Sequence, residues 1–87
     1  MTWTRETIEA ELVKLFSEFA DSGVQISEGS DLVGDLGIDS LGVMELIQNI
    51  EDKFAIHIPD EALTEVQTVG DVTRAIVARL QADGRLG

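Results

Sequence analysis

The 87-residue chain contains no cysteine, which excludes disulfide bonds and thiolate metal sites. Aromatic residues are few, with three phenylalanines, one tryptophan and no tyrosine, although the apolar content of 44% is normal for a folded chain. No apolar run approaches the length of a membrane span, and the N-terminus lacks the basic and apolar regions of a signal peptide. We therefore expect one small domain in the cytoplasm, without a membrane partner.

Lysine and arginine are scarce as well, since they number six against 17 acidic residues and leave a formal net charge of −11. Such a surface repels phosphate backbones, so we expect no nucleic-acid partner. Nine of the acidic residues lie between Asp31 and Glu65, where Lys53 is the only lysine or arginine. Proteins with basic patches are therefore expected to meet the middle of the chain, unless the acidity serves solubility alone.

The spacing of apolar residues predicts helices in four parts of the chain. They cover residues 4–20, 40–54, about 61–66 and about 69–80. The candidate N-caps are Thr2 or Thr4, Asp39, Asp60 and Thr68, the last in a capping-box pattern. We therefore predict an all-α fold, a small four-helix bundle with three main helices and one short helix. Its core covers about residues 4–80, and residues 81–87 are expected to form a flexible tail.

A long first loop, residues 21–39, separates the first two predicted helices. It lacks helical periodicity but carries six apolar residues, namely Val24, Ile26, Leu32, Val33, Leu36 and Ile38. A connection of this length in a small domain is unusual unless it packs or has a function. We expect the six side chains to be buried across the helices, with Gly34 and Gly37 allowing tight turns before the second helix.

Ser40 lies at the predicted start of the second helix, between Asp39 and Leu41. An esterase nucleophile needs the pattern G-x-S-x-G after a strand, but Ile38 replaces a required glycine and no strand precedes it. The acidic residues nearby also fail the calcium-loop pattern, because the required glycine and glutamate are absent. We therefore predict no catalytic residue and no metal site. Ser40 is either a helix-capping residue or an exposed hydroxyl that another enzyme modifies.

The chain has one histidine and one tryptophan, and neither predicts a functional site. His57 alone is a poor metal site and a poor general base, so we expect it to be structural or solvent-facing. Trp3 precedes the first apolar stripe and is expected to pack at the N-terminus rather than to act as a recognition anchor.

Three stretches of the sequence stand at spacings that are characteristic of a known family. The first is DLVGDLGIDSLGVMEL, residues 31–46, in which Asp39-Ser40-Leu41 is the most specific part. The others are IEDKFAIHIPDEAL, residues 50–63, and TVGDVTRAI, residues 68–76. Together they resemble the acyl carrier proteins, and the first is similar to the phosphopantetheine attachment region of that family. The resemblance covers roughly the whole chain.

This resemblance implies a carrier protein rather than an enzyme. A phosphopantetheinyl transferase would attach 4′-phosphopantetheine from coenzyme A to the Ser40 hydroxyl as a phosphodiester, with Asp39 and Leu41 beside it. The terminal thiol of the arm would hold acyl intermediates as thioesters. The protein, expected to be a monomer, would deliver them to acyl-loading and acyl-processing enzymes of the ligase, ketosynthase or acyltransferase type.

The resemblance also gives the acidic middle of the chain a role. Basic patches of partner enzymes would dock on a surface that comprises Asp35, Met44, Glu45, Gln48, Glu51 and Asp52. Met44 could equally be partly buried in the core. A small bundle can also open a space for an acyl chain between its second and third helices. The candidate lining residues, which could instead be simple core, are Leu46, Ile47, Ile58, Ala62 and Leu63.

Several residues depart from the pattern of fatty-acid carriers. Gly42 and Gln48 are less acidic or less apolar than the residues at those positions in many such carriers, and Gly42 is expected to cost about 1 kcal/mol relative to alanine. Lys53 and the stretch Ala55-Ile56-His57-Ile58 replace a more acidic run. These departures favour a polyketide or other specialised pathway over housekeeping fatty acid synthesis. Ile38 replaces a glycine of the peptidyl carrier pattern, which argues against an aminoacyl cargo. The alternative function is a carrier-like acidic docking module whose serine is never loaded.

Overall fold

Four helices form in the order α1 (Arg5–Phe19), α2 (Ser40–Phe54), α3 (Asp60–Leu63) and α4 (Val69–Ala82). The structure is a computed structural model that describes residues 2–20 and 23–86. Those residues contain no strand, and two isolated bridges join Trp3 to Leu86 and Asp31 to Thr68. The predicted all-α four-helix bundle is therefore confirmed. No helix in this described part is both long and apolar enough to span a bilayer.

Side-chain caps begin the three long helices. The side chains of Thr4, Asp39 and Thr68 each accept a first-turn N–H, over 3.2, 2.7 and 3.2 Å. These bonds satisfy donors that have no partner inside the helix, and each is worth about 1 kcal/mol. The predicted caps at Asp39 and Thr68 are confirmed, and Thr4 rather than Thr2 caps α1.

The third helix is shorter than the predicted range of about 61–66. It begins at Asp60 and ends at Leu63, and Pro59 occupies the N-cap without a side-chain hydrogen bond. The predicted cap at Asp60 is therefore wrong, because Pro59 holds the extended conformation that precedes the first helical residue. After Leu63 the chain continues in tighter turns, with Val66 N–H donating to the Leu63 carbonyl over 3.2 Å.

The core lies where α1 packs against α2 and α4. Each of these helices contributes an apolar face at the predicted spacing. The buried apolar side chains of these helices are Ile8, Leu12, Phe16, Leu46, Ile47, Ile50, Phe54, Val69, Val72, Ile76 and Leu80. Full burial of such a side chain is worth roughly 2 kcal/mol. The short α3 has no fully buried residue, and it contacts the core through the half-buried Ala62 and Leu63.

The first loop buries only part of its predicted apolar set. Leu32, Leu36 and Ile38 join the core, whereas Val24 and Ile26 are half-buried. Val33 was expected inside but is 58% exposed, which is a correction. The reason is a tight turn in which the Asp31 carboxylate accepts the Val33 N–H over 3.0 Å. This turn directs the Val33 side chain outward. Asp21 and Ser22 of the predicted loop lie outside the described residues.

The C-terminal segment is packed against the bundle, contrary to the predicted flexible tail. Helix α4 continues to Ala82, and the Arg85 guanidinium then donates to the main-chain oxygens of Phe54 and Ala55. The main-chain N–H of Trp3 donates to the Arg85 carbonyl over 2.9 Å. The centroid of the Trp3 ring lies 4.5 Å from that of the Phe54 ring. The predicted packing role of Trp3 is therefore confirmed, and both chain ends cover the C-terminal end of α2. Gly87 lies outside the described residues.

Candidate functional site

Ser40 is the first residue of α2 and is exposed. The preceding residue supplies the helix cap, since the Asp39 carboxylate accepts the Gly42 N–H over 2.7 Å and its carbonyl accepts the Val43 N–H over 2.9 Å. The helix therefore does not need the Ser40 side chain as its cap. This leaves the hydroxyl available at the surface, which favours the second of the two sequence-based interpretations.

Gly42 allows the loop to lie close against the first turn of α2. A Cβ atom at this position would come within 2.8 Å of Ile38 Cγ2 and 3.1 Å of Asp39 Oδ1. Ile38 is buried and its branched side chain has little freedom to move. The expectation that glycine here only costs helix stability is therefore corrected, because Gly42 lets Ile38 and Asp39 fix the backbone on both sides of Ser40.

An open depression of about 450 Å³ lies beside Ser40. One wall comes from the first loop and the start of α2, and the other from the chain that follows α3. Its other lining residues are Asp31, Leu32, Val33, Val43, Val66 and Gln67. An exposed hydroxyl next to an open, partly apolar depression fits the attachment of a flexible arm. Sequence reasoning missed Val66 and Gln67, because no residue pattern connects them with Ser40.

Hydrogen bonds hold the two walls of this depression together. The Leu32 N–H donates to the Gln67 carbonyl over 2.9 Å, and the Asp71 carboxylate accepts the N–H groups of Gln67 and Thr68 over 3.1 Å each. Asp71 also pairs with the Arg74 guanidinium. The Gln67 bond, followed by the Thr68 bond and helped by Arg74, holds the pKa of Asp71 below its ordinary value of 3.8.

The predicted acyl-chain lining is dispersed. Leu46, Ile47 and Ile58 are buried in the core, as their alternative interpretation held, whereas Ala62 and Leu63 are half-buried. Ile58 and Ala62 also line a separate groove of about 320 Å³ between α3 and the last turns of α4. Lining an acyl cavity stays a prediction for these five residues.

The exposed side of α2 carries most of the predicted partner-binding residues. Met44 is 69% exposed, which excludes its alternative interpretation as a partly buried residue. Glu45, Gln48 and Asp52 are exposed, and the Gln48 amide donates to the Asp52 carboxylate over 3.2 Å. Leu41, predicted beside the arm, is exposed next to Ser40.

Asp35 is exposed too, but its carboxylate also forms a hydrogen bond within the first loop. Its carboxylate accepts the Asp31 N–H over 2.7 Å and closes the turn of the first loop. Within the described ranges, no group of three histidine or acidic side chains is arranged to hold a metal ion.

Glu51 does not lie on the open side of α2, where the sequence interpretation placed it. Its side chain is only 18% exposed, and its carboxylate accepts the Ile58 N–H over 2.7 Å. The same oxygen, Oε2, lies 3.1 Å from Nδ1 of His57, whose ring faces solvent as predicted. This correction arises because the chain turns back after α2, and helical periodicity cannot predict a bond across a helix end.

Comparisons with known proteins agree with this geometry. A family model described as the phosphopantetheine attachment site matches residues 10–76. The acyl carrier protein of Rhodococcus erythropolis is 39% identical over 87 residues, covering 97% of this chain and 92% of that protein. The acyl carrier protein of Wolinella succinogenes is 52% identical over 52 residues, covering 60% of this chain and 68% of that protein. The crystal structure of an acyl carrier protein from Thermotoga maritima matches with a TM-score of 0.74 at 28% identity, covering 91% of this chain and 93% of that one. The chain therefore belongs to the acyl carrier protein family.

Proposed function

We propose that Ser40 carries the phosphopantetheine arm of this acyl carrier protein. The observation that supports the proposal is an exposed hydroxyl at the first residue of α2, with Asp39 acting as the cap and an open depression alongside. A transferase needs access to the oxygen that it modifies, and this arrangement provides access without disturbing the helix.

Membership of the family fixes the general role of the chain. It is a carrier and not an enzyme, and it bears a covalently attached 4′-phosphopantetheine. When bound, this group supplies a terminal thiol, which the cysteine-free chain lacks, for holding acyl groups as thioesters. A phosphopantetheinyl transferase and acyl-processing enzymes are therefore its partners.

The residues around Ser40 position the hydroxyl and the phosphate. During loading, Ser40 Oγ forms the new bond to phosphorus and loses its proton, while the bond from phosphorus to the departing nucleotide of coenzyme A breaks. The positive end of the α2 dipole favours the resulting phosphodiester at the helix N-terminus. The Asp39 carboxylate offsets part of this attraction.

We further propose that partner enzymes dock on the α2 surface, which we define as Leu41, Met44, Glu45, Gln48 and Asp52. Two observations support this assignment: the five side chains are exposed, and they lie in the same helix as Ser40. The two carboxylates would attract basic patches over long range, and Met44 would adapt to apolar contacts. Such docking is expected to be fast and weak, and to weaken further in salt. A monomeric state, a cytoplasmic location and the absence of a nucleic-acid partner stay predictions.

For the pathway, we propose polyketide or other specialised biosynthesis rather than housekeeping fatty acid synthesis. The support is the composition of residues 53–58, at the end of α2 and just after it, which lack the acidic side chains of many fatty-acid carriers. Lys53 forms an ion pair with Glu11 over 3.1 Å, and His57 Nδ1 lies 3.1 Å from the Glu51 carboxylate. A reconstituted fatty acid synthase is the test, because it needs the carrier for every elongation cycle. We expect slow elongation on this carrier, and turnover equal to that on the synthase's own carrier would contradict the specialised role.

The attachment proposal is tested by peptide mapping. The protein is incubated with coenzyme A and a broad-specificity transferase, digested, and analysed by tandem mass spectrometry. We expect the added group only on the peptide that contains Ser40, whereas the peptides with Ser17, Ser27 and Ser30 serve as internal controls. Modification of another serine would refute the assignment. A folded protein that is never modified would instead favour the docking module.

A further inference from the structure

Glu51 accepts three N–H groups of the chain that leaves α2. Its carbonyl accepts the N–H of Ala55 and, over 3.1 Å, the N–H of Ile56. Its carboxylate accepts the N–H of Ile58 over 2.7 Å and lies against the His57 imidazole. A partly buried N–H that loses its partner costs about 1–3 kcal/mol, so this carboxylate is a substantial restraint on the connection.

The connection needs such a restraint because of its backbone. Ala55 adopts the left-handed conformation with φ of +54°, which is uncommon for a residue other than glycine. The chain then reverses and delivers Ile58 to the core, immediately before the N-cap of α3 at Pro59. The Arg85 contacts hold the start of this reversal, and Glu51 holds its end.

Residues 59–67, which we name the α3 segment, combine partial packing of Ala62, Leu63 and Val66 against the core with hydrogen-bonded anchors at their two ends. The helix within this segment has four residues, none of them buried, and no side-chain cap. At its far end, Gln67 is bonded to Leu32 and Asp71. At its near end, the Glu51–Ile58 bond is the corresponding anchor. Val66 and Gln67, which form one wall of the depression beside Ser40, belong to this segment.

We propose that Glu51 is a positioning residue for the Ser40 site. Its carboxylate holds the near end of the α3 segment and thereby keeps Val66 in place beside Ser40, whereas Gln67 has its own anchors at Leu32 and Asp71. Glu51 lies 11 residues after Ser40 in α2, which corresponds to roughly 16 Å along the helix, so the effect is indirect. This inference rests on the proposed attachment at Ser40, and it replaces the predicted role of Glu51 as a docking contact.

Amide hydrogen exchange measured by NMR tests the anchor without any loading of Ser40. The variants are Glu51→Ala, Glu51→Gln and the control Asp52→Asn, which removes an exposed carboxylate from the next residue. We expect Glu51→Ala to speed exchange at Ile58 and Val66 by about tenfold or more, and the control to leave both rates unchanged. Glu51→Gln should restore part of the protection, because its amide oxygen can still accept the Ile58 N–H.

Kinetics of loading by the transferase then separate positioning from docking. Displacement of the wall beside Ser40 should lower kcat for Glu51→Ala severalfold while KM stays within about twofold of the parent value. A docking contact would instead raise KM in a salt-dependent manner and leave kcat and the exchange rates unchanged. That result, or equal exchange at Ile58 in the parent and Glu51→Ala, would overturn the proposal.

Two further outcomes have defined meanings. If the parent protein is not loaded at all, the attachment proposal fails, and the exchange data still decide whether Glu51 is an anchor. If circular dichroism shows that Glu51→Ala is unfolded, Glu51→Gln carries the test. Because a neutral amide oxygen accepts the Ile58 N–H less strongly than a carboxylate does, faster exchange at Ile58 in Glu51→Gln than in the parent supports the anchor, and unchanged exchange refutes it.

Discussion

Arg85 and Phe54 are joined across 31 residues by a hydrogen bond of 2.6 Å, from guanidinium Nη2 to the main-chain oxygen of the last residue of α2. A second bond of 2.9 Å reaches the Ala55 carbonyl. Carbonyls at a helix C-terminus have no partner inside the helix and carry partial negative charge, so a guanidinium both satisfies and neutralises them. The C-terminal segment therefore completes the end of α2.

Replacement of this guanidinium should destabilise the fold. We expect Arg85→Ala to lower the free energy of unfolding by about 2 kcal/mol, because two charge-assisted hydrogen bonds are lost, one of them at the partly buried Phe54 carbonyl. Arg5→Ala is the control, since its pair with Glu9 is exposed on both sides and should contribute less than about 0.5 kcal/mol. Urea denaturation measures both, and equal effects would show that the C-terminal segment is not anchored.

Gly42→Ala should destabilise the protein even though alanine is the better helix former. The new Cβ would lie 2.8 Å from Ile38 Cγ2, and overpacking of this kind costs about 1–3 kcal/mol. After the gain in helix propensity of about 1 kcal/mol is subtracted, we expect a net loss of roughly 1 kcal/mol. Gly29→Ala is the matched control because a Cβ added there would have no atom within 4 Å, so we expect no loss. Thermal unfolding of the two variants distinguishes the cases, and a rise in Tm for Gly42→Ala would contradict the proposed close packing.

The stabilising effect of Asp71 should disappear in acid. Hydrogen bonds from Gln67 and Thr68, with the Arg74 pair, lower the folded-state pKa of Asp71, so ionised Asp71 favours the folded protein. This contribution is complete above the unfolded-state pKa, which is about 4, and is lost as the pH falls through the lowered folded-state pKa. We expect the stability difference between the parent and Asp71→Asn to be constant near neutral pH and to shrink below about pH 4. Unfolding curves across this range test it, and a difference that grows in acid would have the wrong sign.

Reversal of one charge on the α2 surface should weaken docking in a salt-dependent way. We expect Glu45→Lys to raise KM for the transferase severalfold at low ionic strength, with a smaller effect at high ionic strength because salt screens exposed charges. Glu18→Lys makes the same charge change on an exposed position of α1 and should alter KM by less than about twofold. Equal effects of the two variants would mean that net charge, rather than the α2 surface, controls association.

Helical periodicity predicted the parts of the fold that depend on local sequence. The bounds of α2 are the predicted ones, and α4 begins at the predicted residue and continues to Ala82, two residues beyond the predicted end. The Asp39 cap was also predicted, because capping depends on a residue and the three that follow it. The exposed position of Ser40 follows from these same local features.

The errors lie where distant parts of the chain meet. Arg85 reaches Phe54 over 31 residues, and Glu51 reaches Ile58 across the end of its helix. Neither bond has a periodic signal, so the tail was predicted to be free and Glu51 was assigned to the wrong surface. Val33 is a different, local case: it was placed in the core on its apolar character alone, but the turn closed by the Asp31 side chain two residues earlier directs it to solvent. The Arg85 and Glu51 bonds, in contrast, are made between separate segments, where local patterns carry little information.

The most direct test of the central claim is the intact mass of the parent protein and Ser40→Ala after incubation with coenzyme A and a broad-specificity transferase. Ser40 is exposed and does not cap α2, so the variant should fold normally, which circular dichroism verifies. We predict that the parent gains one phosphopantetheine and that Ser40→Ala gains none. A gain on Ser40→Ala, or no gain on the folded parent, would contradict attachment at Ser40.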